Sequence, residues 1–208
     1  MSDPLLTPAQ ARVIASLVEK SITTPQYYPM TVNAIMAACN QKTVRNPIMS
    51  LSERDVGGAL ADLEAMKFAT RDDYSGRVPK WRQQFQHQML LKAPTMAVLV
   101  TLMLRGPQTA AELRSNASAL GGPGDAAGVD EALELLSDRA EPLVKQLPRA
   151  PGQAASRFAH LLCGEDAIPA EPASGGGSRG GTDSAALLAR IDALEARVAA
   201  LESERDAG

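Results

Sequence analysis

Residues 52–85 read SERDVGGALADLEAMKFATRDDYSGRVPKWRQQF, and the fold turns on how this stretch is parsed. Ser52-Glu53-Arg54-Asp55 puts a capping hydroxyl and carboxylates where the first N–H groups of a helix lack partners. Val56, Leu60, Leu63 and then Met66 or Lys67 recur at helical spacing and mark its inward side. Beyond them, Phe68-Ala69-Thr70-Arg71 and the run Val78 to Phe85 flank Asp72-Asp73-Tyr74-Ser75-Gly76, a turn-forming segment. That pattern predicts a β-hairpin.

Upstream, Thr7-Pro8-Ala9-Gln10 has a capping Thr, Pro at the first helical position and Gln at the third, so a first helix is expected from Pro8 to Lys20. Val13, Ile14, Leu17 and Val18 form its buried stripe, and its opposite face is polar. Pro25 and Pro29 bracket a turn holding Tyr27 and Tyr28, and Thr31 caps a second helix from Val32 to about Asn40. Asn46-Pro47 breaks the chain again. Three short helices followed by a hairpin is the order of a winged-helix domain.

The order recurs. Val98 and Leu102 stand 85 positions after Val13 and Leu17, and Thr109 stands 85 after Thr24. Thr109-Ala110-Ala111-Glu112 is a capping box, and Val129, Ala132, Leu133 and Leu136 give a further inward face. Leu143–Leu147 and Arg157–Leu162 predict a second wing. The expected fold is therefore mainly α with small β-hairpins (α+β): winged-helix units over 1–92 and 93–164, a Gly- and Pro-rich linker over 165–181, and a heptad helix over 182–208. In that helix Leu187, Ile191, Leu194, Val198 and Leu201 are spaced 4, 3, 4, 3. β-branched residues at a, Leu at d and opposite charges at g and e predict a parallel homodimer through the tail.

Thirty-five alanines and only 3% aromatic residues suit helices. No apolar run is long enough to span a membrane, and the N-terminus has no secretory pattern, so a soluble cytoplasmic protein is expected. Cys39 and Cys163 read as packed apolar residues. His160 and Cys163 stand three apart but make no zinc site by themselves, and nucleotide-binding glycine loops are missing from the pattern. Neither a cofactor nor an enzymatic activity is expected.

The net charge of −3 argues against nucleic acid until it is resolved by segment. Residues 1–92 carry net +3, residues 93–164 net −1 and residues 165–208 net −5. Lys42 and Arg45 precede the third helix, while Arg71, Arg77, Lys80 and Arg82 lie on the first hairpin with Tyr74 and Trp81 among them. These six cations are the candidate nucleic-acid contacts, directed at the backbone. The competing reading packs Trp81 in the core and leaves the charges as a solvated edge. Base reading is not expected, because the outward positions of the third helix are Arg54, Gly57, Gly58, Ala61, Asp62 and Ala65. The corresponding helix of the second repeat presents Asp130, Glu131, Glu134 and Asp138, which repel phosphate. Asn40 and Gln41, with Lys42 and Arg45, cluster at one turn, where their side chains either fix the backbone or form a small anion site. A DNA-associated regulator and a protein-interaction scaffold are the two functional expectations.

Thr23-Thr24-Pro25-Gln26-Tyr27-Tyr28-Pro29, Asn33, Ala38-Cys39-Asn40-Gln41-Lys42-Thr43, Arg45, Pro47 and Leu51-Ser52-Glu53 together resemble the signature of the YceH-type bacterial family. The likeness continues through Gly76-Arg77-Val78, Lys80, Leu104-Arg105-Gly106, Thr109 and Glu112-Leu113-Arg114-Ser115. The resemblance implies two tandem winged-helix domains and a cytoplasmic setting, and brings no established activity. Trp81, where a tyrosine is usual, and Gly57-Gly58 depart from the pattern.

Overall fold

Thr7 closes a capping box with Gln10, its Oγ1 accepting from the Gln10 N–H at 3.3 Å while Gln10 Oε1 accepts from the Thr7 N–H at 2.8 Å; helix α1 (Pro8–Thr23) starts there. In this computed structural model, residues 5–72, 78–149 and 153–168 are described. Thr31 caps α2 (Val32–Cys39), and a second box between Ser52 and Asp55 starts α3 (Glu53–Ala65). The helix stops before Met66 and Lys67, which are exposed; Lys67 turns the chain through a positive φ of 62° toward the strands. Strands β1 (Met30–Thr31), β2 (Ala69–Asp72) and β3 (Lys80–Gln83) form an antiparallel sheet in the order β1-β3-β2. β1 has too few residues to show any periodicity, so the expected two-stranded hairpin is a three-stranded sheet. A short helix, α4 (Phe85–Gln88), follows, with Phe85 edge-on to Phe68 at 5.0 Å.

The second half contains α5 (Ala93–Arg105), α6 (Ala110–Ala117), α7 (Ala126–Ser137), β4 (Val144–Gln146) and β5 (Phe158–His160). Gln108 pairs with Phe158 through both backbone bonds (3.0 and 2.7 Å), so β5 lies between Gln108 and β4 as β3 lies between β1 and β2. This pairing corrects the register of the repeat. Thr109 follows the bridging residue and caps the second helix of its half, which is what Thr31 does in the first; Thr24 instead precedes the turn Pro25–Tyr27. The first half carries extra residues between its first helix and β1, which a constant offset cannot accommodate.

Helix α1 is buried continuously from Gln10 to Glu19, and α5 from Thr95 to Leu104. The two helices pack together, and one hydrophobic cluster runs from Leu6 to Leu162. Each fully buried Leu, Ile or Val contributes about 1.5–3 kcal/mol. The polar side of α1 is buried as well: Gln10, Arg12, Ser16 and Glu19 are all enclosed. Burial there is tolerable because internal hydrogen bonds replace water. The described residues all fall within one compact unit, Met1–Ala170, and the heptad residues Leu187, Ile191, Leu194, Val198 and Leu201 lie outside the described residues.

Candidate functional site

Successive residues of a strand point to opposite sides. The register Arg71↔Trp81 and Asp72↔Lys80 therefore places Lys80, Arg82, Thr70 and Asp72 on one face of the hairpin and Arg71 and Trp81 on the other. Trp81 is buried, as the competing sequence reading had it, with the Arg71 guanidinium 5.1 Å from its ring centroid. Arg71 stays 55% exposed and lies 3.4 Å from Glu64. Arg82 is also exposed, 3.2 Å from Asp72 and 5.9 Å from the Tyr28 ring. Tyr28 is fixed in turn, because its hydroxyl accepts the Gln83 N–H. Exposed ion pairs of this kind hold their cations only weakly. Arg77 and Tyr74 lie outside the described residues, and Lys42 is exposed at the α2–α3 turn.

Arg45 does not join this surface. Its side chain is fully buried, its Nη1 and Nη2 donating to Glu19 at 3.1 and 2.6 Å, with further bonds to the carbonyls of Ala38 and Val44. Charge and position in sequence suggested a surface cation; an acid on the buried side of α1 claims it instead. Asn40 clasps the far end of the same loop, donating to the Leu51 carbonyl and accepting the Leu51 N–H, both at 2.8 Å. Gln41 is half-buried beside it. The loop then reaches the second half, where the Asn46 N–H donates to the Leu104 carbonyl at 2.8 Å. Gly106, at φ 73°, brings its backbone against Asn46, leaving only 3.3 Å between a Cβ at that position and Asn46 Nδ2.

On α3, Arg54, Gly58, Ala61, Asp62 and Ala65 are exposed and Gly57 is half-buried. Asp62 accepts from Gln10 Nε2 at 2.8 Å. Four carboxylates and one arginine lie on this helix, and Asp130, Glu131, Glu134 and Asp138 are exposed on or next to α7.

A cavity of about 200 Å³ lies where α1, the 46–49 segment, Met103 of α5 and the residues around β5 meet. Arg12 and His160 line it. Arg12 donates to the carbonyls of Cys39 (3.1 Å) and Pro47 (2.7 Å), leaving its Nε buried and unpartnered. His160 Nδ1 is likewise closed off without a partner. Burial, and then Arg45, lowers the Arg12 pKa, while burial takes His160 down to about 4. The thiols are masked: burial raises Cys39, which lies 3.6 Å from Ser16 Oγ, and pushes Cys163 to about 11. Both therefore stay protonated near neutral pH and are poor nucleophiles. The walls of this cavity come from distant segments, and the spacing of His160 and Cys163 was the one trace of it in the sequence.

The described part is thus a mixed α/β protein of helices and small antiparallel sheets, and none of its helices is long and apolar enough to cross a membrane. Residues 6–153 match the family described as "Protein of unknown function, DUF480", and the chain belongs to that family. Among its relatives, a UPF0502 protein of Geobacter sulfurreducens is 42% identical over 197 residues, covering 95% of this chain and 90% of its own length. One of Burkholderia pseudomallei is 41% identical over 199 residues, covering 96% and 82%; one of Burkholderia ambifaria is 44% identical over 179, covering 86% and 75%. These bacterial relatives agree with the YceH-type resemblance.

Proposed function

We propose that the chain is a non-enzymatic, cytoplasmic protein of two winged-helix units that associates with DNA through its first hairpin and dimerises through its C-terminal heptads. The outward face of β3 carries this reading: Lys80 and Arg82 share it, with Arg71 exposed on the adjoining strand. The matching order of helices and strands in the two halves, each with its last strand in the middle of the sheet, supports the winged-helix assignment. The small residues on α3 support contact with phosphates rather than base edges. Fluorescence anisotropy with a labelled duplex across a salt series tests it. Each lost phosphate contact flattens the slope of log affinity against log salt by about 0.9, so Lys80→Ala with Arg82→Ala is expected to flatten it by about 2. An unchanged slope and affinity would refute the DNA reading.

The alternative is a protein-interaction scaffold, favoured by the carboxylates exposed on both third helices. Capture from native lysate with and without nuclease separates the two readings. A stoichiometric protein that persists after nuclease supports the scaffold, and loss of every partner supports DNA.

A further inference from the structure

In the second half, a groove of about 520 Å³ runs between α7 and the β4–β5 hairpin. Leu133, Val144, Phe158 and Leu161 give it an apolar lining, and the carboxylates of Asp130, Glu134 and Glu165 stand along it. Lys145, the one cation lining it, is held by both oxygens of Glu165 at 2.9 Å. Asp130 and Glu134 are exposed, and neither carboxylate has a hydrogen-bond or ion-pair partner among the described residues. Arg114 and Arg149 belong to an adjoining groove that shares Asp130. Val144, Lys145 and Gln146 all line the groove although alternate side chains of a strand point to opposite sides, so the groove follows the edge of β4.

That edge is open. The Leu147 N–H donates to the Arg157 carbonyl and the Leu161 N–H to the Leu143 carbonyl, both at 2.8 Å. In this antiparallel register Lys145 and Ala159 are the next hydrogen-bonded pair, which leaves the N–H and C=O groups of Val144 and Gln146 pointing away from β5. No strand among the described residues pairs with them. The outer edge of β5 differs, because Phe158 exchanges both backbone bonds with Gln108. Sheets accept an added strand at such an edge, where main-chain bonds supply affinity and pockets for alternate side chains supply specificity. Charge then selects the occupant. The carboxylates repel phosphates, and they repel residues 169–208 of this chain, whose seven acidic and four basic side chains give net −3.

We propose that the groove takes an extended segment of a partner protein, with apolar side chains flanked by lysine or arginine, added as a strand to the edge of β4. The proposal rests on the scaffold alternative and gives it a particular surface; it does not depend on the DNA reading.

The probe is a phage-displayed library of random dodecapeptides, panned on the full-length protein. Enriched peptides are expected to combine Leu, Ile, Val or Phe with Lys or Arg, and to bind more weakly as salt rises. Asp130→Asn with Glu134→Gln, both at exposed positions, should keep the melting temperature and lose about tenfold in affinity for the selected peptide. N-methylating one of the two alternating sets of peptide nitrogens should cost about tenfold or more by removing strand bonds, and the other set little. No enrichment, an acidic consensus, an unchanged affinity in the double variant, or equal effects of the two methylated sets would overturn the proposal. So would a mass in solution that falls in the double variant, since a second copy would then fill the groove. Capture of a protein from lysate through some other surface would leave it bound to the double variant, which separates failure of the groove from failure of the scaffold reading.

Discussion

His160 ends β5 with Nδ1 sealed from solvent, and burial holds its pKa near 4 against an ordinary 6.5. The unfolded chain takes up a proton around pH 6.5 that the native state refuses until about pH 4. The contribution of this residue to stability is therefore complete above pH 6.5 and falls away as the pH drops toward 4, by up to about 3 kcal/mol. Urea midpoints at pH 7, 5.5 and 4 measure it: the difference between wild type and His160→Leu should change across this window, and parallel curves would contradict the assignment. Val44 is a second residue under local constraint. It is β-branched and half-exposed, with φ 61°, while Arg45 Nη1 donates to its carbonyl at 3.1 Å. Val44→Gly relieves that strain with little loss of packing and is expected to stabilise the fold by about 1 kcal/mol in urea unfolding.

Helix α3 shows what an element owes to its sequence. Its start was legible in Ser52 and Asp55, and its inward face in Val56, Leu60 and Leu63, all buried. Its end was not, because Met66 continues the stripe although the helix stops at Ala65 and Lys67 turns the chain away. Within it, Gly58 is exposed and a Cβ there meets nothing within 4 Å. Gly58→Ala should therefore raise stability by about 0.5–1 kcal/mol, read as an upward shift of the thermal midpoint. The hairpin was legible as a pair of strands. Its division into faces needed the register, which separates Arg71 from Lys80 and Arg82 and buries Trp81. A string of cations interrupted by aromatics does not reveal that only alternate positions share a surface.

At the scale of the whole molecule, α1 and α5 join the halves into one core, and three backbone or side-chain ties support them: Leu6 N–H to the Leu162 carbonyl, Asn46 N–H to the Leu104 carbonyl, and Arg139 Nη2 to the Met89 carbonyl. Residues 5–168 are accordingly expected to unfold together. Trp81, the single tryptophan, reports on the first half, whereas far-UV circular dichroism reports on both; coincident urea midpoints are expected, and separated midpoints would show independent halves. The sequence by itself determined the helix starts, the buried stripes and the repeated order of elements, because capping and periodicity are local and neighbouring residues specify them. Only the tertiary structure decided that the polar side of α1 is buried, that Arg45 pairs with Glu19 rather than facing solvent, and that Arg12 and His160 meet at one cavity. Those outcomes depend on which distant surfaces come together, and a polar residue looks the same in sequence whether water or a buried partner satisfies it.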